Sequence, residues 1–191
     1  MKALIFNGSK IENKVLDISK EVIETHLKEM GWQVDSLLFR EMEIAQCMGC
    51  FGCWVKTPGV CVINDSGSII PKKIVQSDLM IFLTPITFGG YSPELKKALD
   101  RAIPMLLPFF KKVHGETHHV MRYNKYPKFV AIGALPKPDQ ESEMTFKELV
   151  SRNAINYSSP KKAAGILYAN QSENEIKSII ENLLNKVEVK A

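Results

Sequence analysis

The sequence predicts an α/β fold, a three-layer sandwich in which helices cover both faces of a five-stranded parallel sheet with strand order 2-1-3-4-5. Two observations carry this prediction. Short apolar runs alternate with amphipathic segments along the whole chain, as in proteins whose strands are joined through helices. The length of 191 residues, 45% of them hydrophobic, suits one domain with its own core. We therefore expect a single domain over residues 1–191.

Five apolar runs are the candidate strands, because each has the length and composition of a strand that is covered on both faces. They comprise residues 2–6, 33–39, 79–83, 129–134 and 163–168. Two segments fall outside the alternation of strands and helices. One is a cysteine-rich loop at residues 44–65, and the other is a long excursion at about residues 107–127.

Amphipathic segments between these runs predict the helices. The first spans about residues 13–30, with apolar side chains at helical spacing and a glycine directly after it as a stop. Ser92, followed by a proline, predicts the start of another helix, which Pro104 is expected to kink or end. Apolar residues near 146–150 mark a further helix, and Ser172 opens a capping box at the start of the last one.

The composition excludes several classes of function. The 25 basic and 21 acidic residues give a net charge of +4 and are interspersed, unlike the clustered basic residues of a nucleic-acid-binding surface. No apolar run reaches the roughly 18 residues that a membrane span requires, and the first run is too short for a signal peptide. We therefore expect a cytoplasmic protein with no nucleic-acid or membrane partner, whose mild positive charge suits an anionic small ligand.

Two loops form the candidate ligand site, because ligands on such sheets bind where the connections of strands 1 and 3 diverge. In the loop at residues 7–14, Gly8 permits close backbone approach, Ser9 offers a hydroxyl, and the following helix N-terminus favours an anion. The loop at residues 85–91 combines a proline, aromatic residues and two glycines, which suits a flat heteroaromatic ring. From the residues alone, ordinary loops without a ligand remain equally favoured.

All four cysteines of the chain lie close together, at Cys47, Cys50, Cys53 and Cys61. In a cytoplasmic protein this clustering predicts metal or redox chemistry rather than a disulfide framework. The Cys-x2-Cys-x2-Cys run can supply three thiolates to a 4Fe–4S cluster, and Cys61 would complete the ligand set. Three alternatives remain open: a four-cysteine zinc site, a thiol–disulfide pair, and cysteines that serve only as small buried side chains.

The motifs together resemble the NAD(P)H-dependent FMN reductase family, and within it most closely the iron–sulfur flavoproteins. The resemblance is carried by the order and spacing of residues 4–9, 47–54, 61–65, 84–89 and 95–101. It implies a flavodoxin-like fold, bound FMN, and electron transfer from NAD(P)H to flavin, to a quinone or through an iron–sulfur cluster. Because this chemistry belongs to the cofactors, we assign no catalytic side chain.

The resemblance also implies which residues contact FMN. The first loop would face the phosphate, the second would run beside the isoalloxazine ring, and a third segment would lie near the other edge of the ring. The predicted contacts are Gly8, Ser9, Lys10, Asn13, Lys14, Pro85, Ile86, Thr87, Phe88, Gly89, Gly133 and Ala134. The first loop departs from the family pattern. In the family a proline and then an arginine usually follow the Gly-Ser pair, whereas here Lys10 follows Ser9 and neither of those residues is present.

The family further implies a homo-oligomer. We expect the electrons to come from NAD(P)H or from a ferredoxin. Two other functions remain alternatives to an FMN-dependent oxidoreductase. The first is a non-catalytic flavodoxin-like electron carrier. The second is an α/β binding protein that is stabilised by zinc and lacks flavin.

Overall fold

A computed structural model describes residues 1–190, so that Ala191, the last residue of the predicted domain, lies outside the described residues. Within this range the strands are β1 (Lys2–Asn7), β2 (Gln33–Leu38), β3 (Leu79–Pro85), β4 (Leu106–Val113), β5 (Glu116–Met121), β6 (Lys128–Leu135) and β7 (Lys162–Tyr168). The α-helices are α1 (Lys14–Glu29), α2 (Gly52–Val55), α3 (Ile70–Val75), α4 (Pro93–Asp100), α5 (Gln140–Asn156) and α6 (Glu173–Lys186).

Five strands form one parallel sheet in the order β2-β1-β3-β6-β7, which confirms the predicted α/β class with a parallel sheet. The predicted order 2-1-3-4-5 differs in detail. The sequence pattern missed β4 and β5, which form a separate antiparallel hairpin inside the excursion expected at residues 107–127. The strands expected as fourth and fifth are therefore β6 and β7.

Two apolar layers cover the two faces of the sheet. Helices α1 and α6 pack on one face, and α3, α4 and α5 pack on the other. Alternate residues of β1 serve opposite layers, since Ile5 packs in the first and Phe6 in the second. β3 is buried along nearly its whole length, as expected for a central strand. Because β1 leads to α1 and β3 leads to α4, their carboxyl ends border a crevice between connections on opposite faces.

The helix boundaries follow local capping chemistry. Asn13 caps α1, Ser92 caps α4, and Ser172 forms the expected capping box at α6. α4 ends at Asp100, and Pro104 follows in a short 3₁₀ turn, so the helix stops before the proline. Among residues 1–190, no helix combines the length and apolar character that crossing a membrane would take.

Phe82 provides a test of the described core. Its fully buried ring contacts Phe6, Phe129 and Tyr91. We expect Phe82→Ala to lower the free energy of unfolding by about 3–5 kcal/mol, because it leaves a cavity in a packed layer. Urea denaturation measures the loss. Phe109→Ala, at a side chain that is 65% exposed, is the control and should cost less than about 0.5 kcal/mol. Equal losses would contradict the described packing.

Candidate functional site

The loops after β1 and β3 are joined by buried hydrogen bonds around Ser92. Its Oγ donates to the carbonyl oxygen of Gly8 at 2.6 Å and accepts from the amide of Leu95 at 3.2 Å. The amide of Ser92 donates to Oγ1 of Thr84 at 2.9 Å, and the amide of Gly8 donates to the carbonyl oxygen of Leu83 at 2.8 Å. These hydrogen bonds fix the distance between the loop after β1 and the loop after β3.

Gly8 is required by the packing of the first loop on α4. A Cβ atom at this position would lie 2.7 Å from Cβ of Leu95 and 2.8 Å from Oγ of Ser92. Neither neighbour can move without disturbing the start of α4. The sequence predicts close approach of a ligand at Gly8, and packing on α4 is a second reason for a glycine there.

Ser9 presents a buried hydroxyl that has no hydrogen-bond partner among the described residues. Its amide donates to Oδ1 of Asn7 at 3.0 Å, so the backbone is satisfied while the hydroxyl is not. Leaving such a group unpaired costs about 1–3 kcal/mol. An anionic oxygen placed against the loop would satisfy it, which fits the predicted phosphate contact.

The other predicted residues of the first loop have two roles: Asn13 caps a helix, and Lys10 and Lys14 carry exposed positive charge. The side chain of Asn13 accepts from a backbone amide in the first turn of α1 at 3.2 Å, so its role in this structure is to cap the helix. Asp17 accepts from the amide of Asn13 and pairs with Arg40 at 3.0 Å, which balances its charge. Lys10 and Lys14 are exposed and available to an anion.

The second loop carries an exposed aromatic side chain on left-handed backbone. Thr87 and Gly90 exchange amide-to-carbonyl hydrogen bonds of 3.0 and 2.9 Å, and the two residues between them, Phe88 and Gly89, have φ angles of 49° and 73°. Left-handed backbone is uncommon for a phenylalanine, and the ring is fully exposed at the tip of the turn. This geometry suits contact with a flat ring or with another protein chain.

The rest of the second loop packs against β6. The amide of Ile86, the residue after Pro85, donates to the carbonyl oxygen of Ala134 at 3.0 Å. A Cβ atom on Gly133 would lie 2.5 Å from Cδ1 of Ile86, so this glycine makes room for that side chain. Gly133 and Ala134 are the last two residues of the predicted fourth strand, 129–134, and were expected at the edge of the flavin ring. The structure places both inside β6 and buried, because this strand continues to Leu135.

The four cysteine side chains line one small cavity beside the end of α4. All four thiols are free; Cys47 and Cys50 are exposed, Cys53 is buried, and Cys61 is half-buried. Burial raises the pKa of the Cys53 thiol, and the three neighbouring thiols raise it further. Within residues 1–190, no three histidine, cysteine or acidic side chains are grouped closely enough in this conformation to hold a metal ion.

A turn in the cysteine-rich loop brings Cys61 back to the other three cysteines. Gly59 has a φ angle of 87°, and its amide donates to the carbonyl oxygen of Cys53 at 2.9 Å. Val62 then packs on α2, where a Cβ atom on Gly52 would lie 2.9 Å from its Cγ1. The turn explains how a thiol eight positions further along the chain reaches the same cavity.

Arg101 fixes both arms of the cysteine-rich loop to the end of α4. Its buried guanidinium donates to both carboxylate oxygens of Asp65 at 2.8 Å and to the carbonyl oxygens of Ala45 at 3.0 Å and Ile63 at 3.1 Å. This pairing holds the pKa of Asp65 below its ordinary value, so the carboxylate stays charged. In the sequence, residues 95–101 carry part of the family resemblance, but nothing there predicts the partners of Arg101.

A larger cavity of about 510 Å³ lies between α4, α5 and the hairpin. Its mostly apolar walls carry a few polar side chains, including Tyr91, Asn153 and His119, and Ile103 lines both this cavity and the cysteine cavity. Sequence reasoning missed it. The walls come from three elements whose mutual packing has no local signal in the sequence.

A family model described as NADPH-dependent FMN reductase matches residues 1–134. The chain belongs to the NADPH-dependent FMN reductase family. The protein is accordingly an FMN-dependent oxidoreductase. The match includes both loops, the cysteine-rich loop and most of β6, and it confirms the resemblance inferred from the motifs.

The curated relatives of this FMN reductase family member include iron–sulfur flavoproteins of archaea. One from Methanocaldococcus jannaschii is 29% identical over 143 residues, which is 74% of this chain and 67% of that protein. Another from Methanosarcina thermophila is 32% identical over 97 residues, which is 51% of this chain and 46% of the relative. The matched region thus spans about two thirds of the first relative and about half of the second.

Solved structures support the flavodoxin-like fold. An NAD(P)H:quinone oxidoreductase from Methanothermobacter marburgensis has a TM-score of 0.72 at 12% identity, covering 100% of this chain and 98% of the other. An FMN-dependent NADH-azoreductase from Bacillus anthracis, solved with FMN, has a TM-score of 0.61 at 13% identity and covers 97% of each chain. At these identities the likeness concerns the fold alone.

Ser92→Ala tests the link between the two loops. We expect it to lower the free energy of unfolding by about 1–2 kcal/mol, because a buried cap and a second hydrogen bond are lost together. Hydrogen exchange should also rise at the amides of Gly8 and Ser9. Ser172→Ala removes a cap whose side-chain hydrogen bonds join it only to Glu175 at the start of α6, and is the matched control. Unchanged exchange at both amides would contradict the link.

Proposed function

We propose that this protein is an NAD(P)H-dependent oxidoreductase that binds FMN between the two loops, and that its cysteine-rich loop would hold a 4Fe–4S cluster able to carry single electrons. The proposed cluster ligands are Cys47, Cys50, Cys53 and Cys61. One observation carries the proposal: all four cysteines line a single cavity at one end of α4, and the other end of that helix contacts the first loop. The eight residues of α4 correspond to about 12 Å, so the two sites are close neighbours.

The first loop is proposed to hold the FMN phosphate. The unpartnered hydroxyl of Ser9 fits a phosphate oxygen, and Lys10 and Lys14 add positive charge at the start of α1. Ser92 keeps the loop in place by holding the carbonyl oxygen of Gly8. When bound, FMN supplies the chemistry of accepting two electrons together and releasing them one at a time.

The second loop is proposed to lie along the isoalloxazine ring. Pro85 and Ile86 are anchored on β6, so the turn that carries Phe88 projects from a fixed base. The exposed ring of Phe88 suits stacking on a flat heteroaromatic group or contact with a second copy of this chain. A homo-oligomer, and a ferredoxin as single-electron partner, belong to the same proposal.

The cysteine cavity fits an iron–sulfur cluster by the chemistry of its donors. Thiolates are the ligands that such clusters require, and the four cysteines that would supply them line the cavity. One relative named an iron–sulfur flavoprotein matches 143 residues, which is 74% of the chain, and this supports the same assignment. A bound 4Fe–4S cluster carries electrons singly, which suits the release of single electrons from a flavin.

Anaerobic purification followed by visible spectroscopy and metal analysis tests the proposal. We expect flavin absorbance together with a broad brown shoulder, and about four iron atoms per chain. NAD(P)H oxidation with flavin or quinone acceptors should then show turnover, which a non-catalytic carrier lacks. Flavin without iron would overturn the cluster, and a zinc-containing protein without flavin would favour the alternative of a zinc-stabilised binding protein.

Ser9→Ala tests the phosphate contact. We expect the Kd for FMN to rise about tenfold or more, because a hydrogen bond to a charged oxygen contributes about 1.5–3 kcal/mol. The stability of the flavin-free protein should not fall, since the lost hydroxyl has no partner in the described structure. Quenching of FMN fluorescence measures the affinity. Ser178→Ala, at an exposed position of α6, is the control, and an equal Kd for both variants would refute the contact.

Cys53→Ser and Cys61→Ser test the cluster ligands. A serine oxygen is a hard donor that binds iron–sulfur clusters poorly, so we expect the iron content to fall by about half or more in each variant. FMN affinity should stay within about twofold of the wild type, because neither residue lies in the two loops. Iron and FMN are measured on the same anaerobic sample. Full iron content in both variants would contradict the ligand assignment.

A further inference from the structure

We propose that Arg101 is a positioning residue of the cysteine centre, joining the two arms of the cysteine-rich loop and presenting a free N–H group to the cluster sulfurs. The second half of this proposal rests on the proposed cluster. The first half concerns the protein alone and stands on contacts within the chain.

Four hydrogen bonds from one side chain close the cysteine-rich loop. Nη1 of Arg101 donates to the carbonyl oxygen of Ala45 and to Oδ2 of Asp65, and Nη2 donates to the carbonyl oxygen of Ile63 and to Oδ1 of Asp65. Asp65 also accepts from the amide of Ala45 at 2.8 Å. Ala45 precedes the first cysteine and Asp65 follows the last, so all four thiols lie within the segment closed by this ion pair.

The fifth N–H group of Arg101 has no partner. An arginine carries five donors, and the four bonds above account for those on Nη1 and Nη2. Nε is buried and has no hydrogen-bond acceptor among the described residues. Because a charged donor without a partner is unfavourable in a buried site, an acceptor from the adjoining space would stabilise it. Arg101 borders the cysteine cavity. Asp65 first, and also the Cys61 thiol, raise the pKa of the guanidinium, so a sulfur atom lies beside it.

A hydrogen-bond donor beside the cluster would raise the reduction potential of the cluster. A 4Fe–4S cluster with four thiolates is anionic, and hydrogen bonds to its sulfurs are among the factors that set its reduction potential. An N–H group with partial positive charge favours the form that carries the additional electron, so Arg101 would raise the potential. Lysine keeps the charge but lacks the planar fork and the Nε–H group, so it cannot make the same set of bonds.

Arg101→Lys and Arg101→Met test the proposal, with Arg152→Met as the matched control. Arg152 also binds a carboxylate through both Nη atoms. Its partner is Glu116, and this ion pair lies on the exposed surface. Hydrogen exchange of the cofactor-free proteins reports on the loop. The midpoint potential, measured by spectroscopic redox titration after anaerobic reconstitution with iron and sulfide, reports on the N–H donor.

In both Arg101 variants we expect the backbone amides of residues 45–65 to exchange hydrogen faster than in the wild type. All other amides should exchange at the wild-type rate. In reconstituted Arg101→Lys the ratio of reduced to oxidised cluster at the wild-type midpoint should fall about tenfold, which is 59 mV for a one-electron couple. Arg152→Met should change neither quantity.

Three results would overturn the proposal in whole or in part. Wild-type exchange over residues 45–65 in both variants would overturn the positioning role. An unchanged midpoint in an iron-loaded Arg101→Lys variant would overturn the N–H donor and leave a structural ion pair. A wild-type protein that takes up no iron would refute the proposed cluster and the donor with it, while hydrogen exchange would still decide the positioning role. If Arg101→Met fails to fold, the comparison rests on Arg101→Lys.

Discussion

The position of α4 against the sheet is the constraint on which both candidate sites depend. At its start, Ser92 caps the helix and holds the loop after β1. At its end, Arg101 binds the two arms of the cysteine-rich loop. Both contacts are buried and polar, so they have directional geometry that apolar packing alone does not supply. A shift of the helix would move the two sites together, which keeps their separation constant.

Much of the fold could be predicted from the sequence because its signals are local. Apolar runs marked the sheet strands, and Ser92 and Ser172 marked helix starts by their capping chemistry. The hairpin could not be predicted in the same way. Its strands expose Phe109 and Phe110, so the alternation of buried and exposed residues that identifies a strand is absent there. Because β4 and β5 were not predicted, the strands expected as fourth and fifth are β6 and β7.

The site was predictable in outline and less so in the roles of individual residues. The two loops and the cysteine cavity follow from the topology rule and from spacing. The capping role of Asn13, the space that Gly133 leaves for Ile86, and the unpaired hydroxyl of Ser9 depend on contacts between segments far apart in sequence. Arg101 is the clearest case, because its partners lie 36 to 56 positions earlier in the chain. No local pattern encodes such partners.

The hairpin formed by β4 and β5 has a consequence for how the molecule behaves in concentrated solution. Each strand pairs only with the other among the described residues, so each has one edge that no further strand covers. Exposed strand edges beside apolar side chains promote aggregation unless charge opposes it. Lys111 and Lys112 follow directly after Phe109 and Phe110. Positive charge beside an unpaired strand edge opposes its pairing with the same edge of a neighbouring molecule.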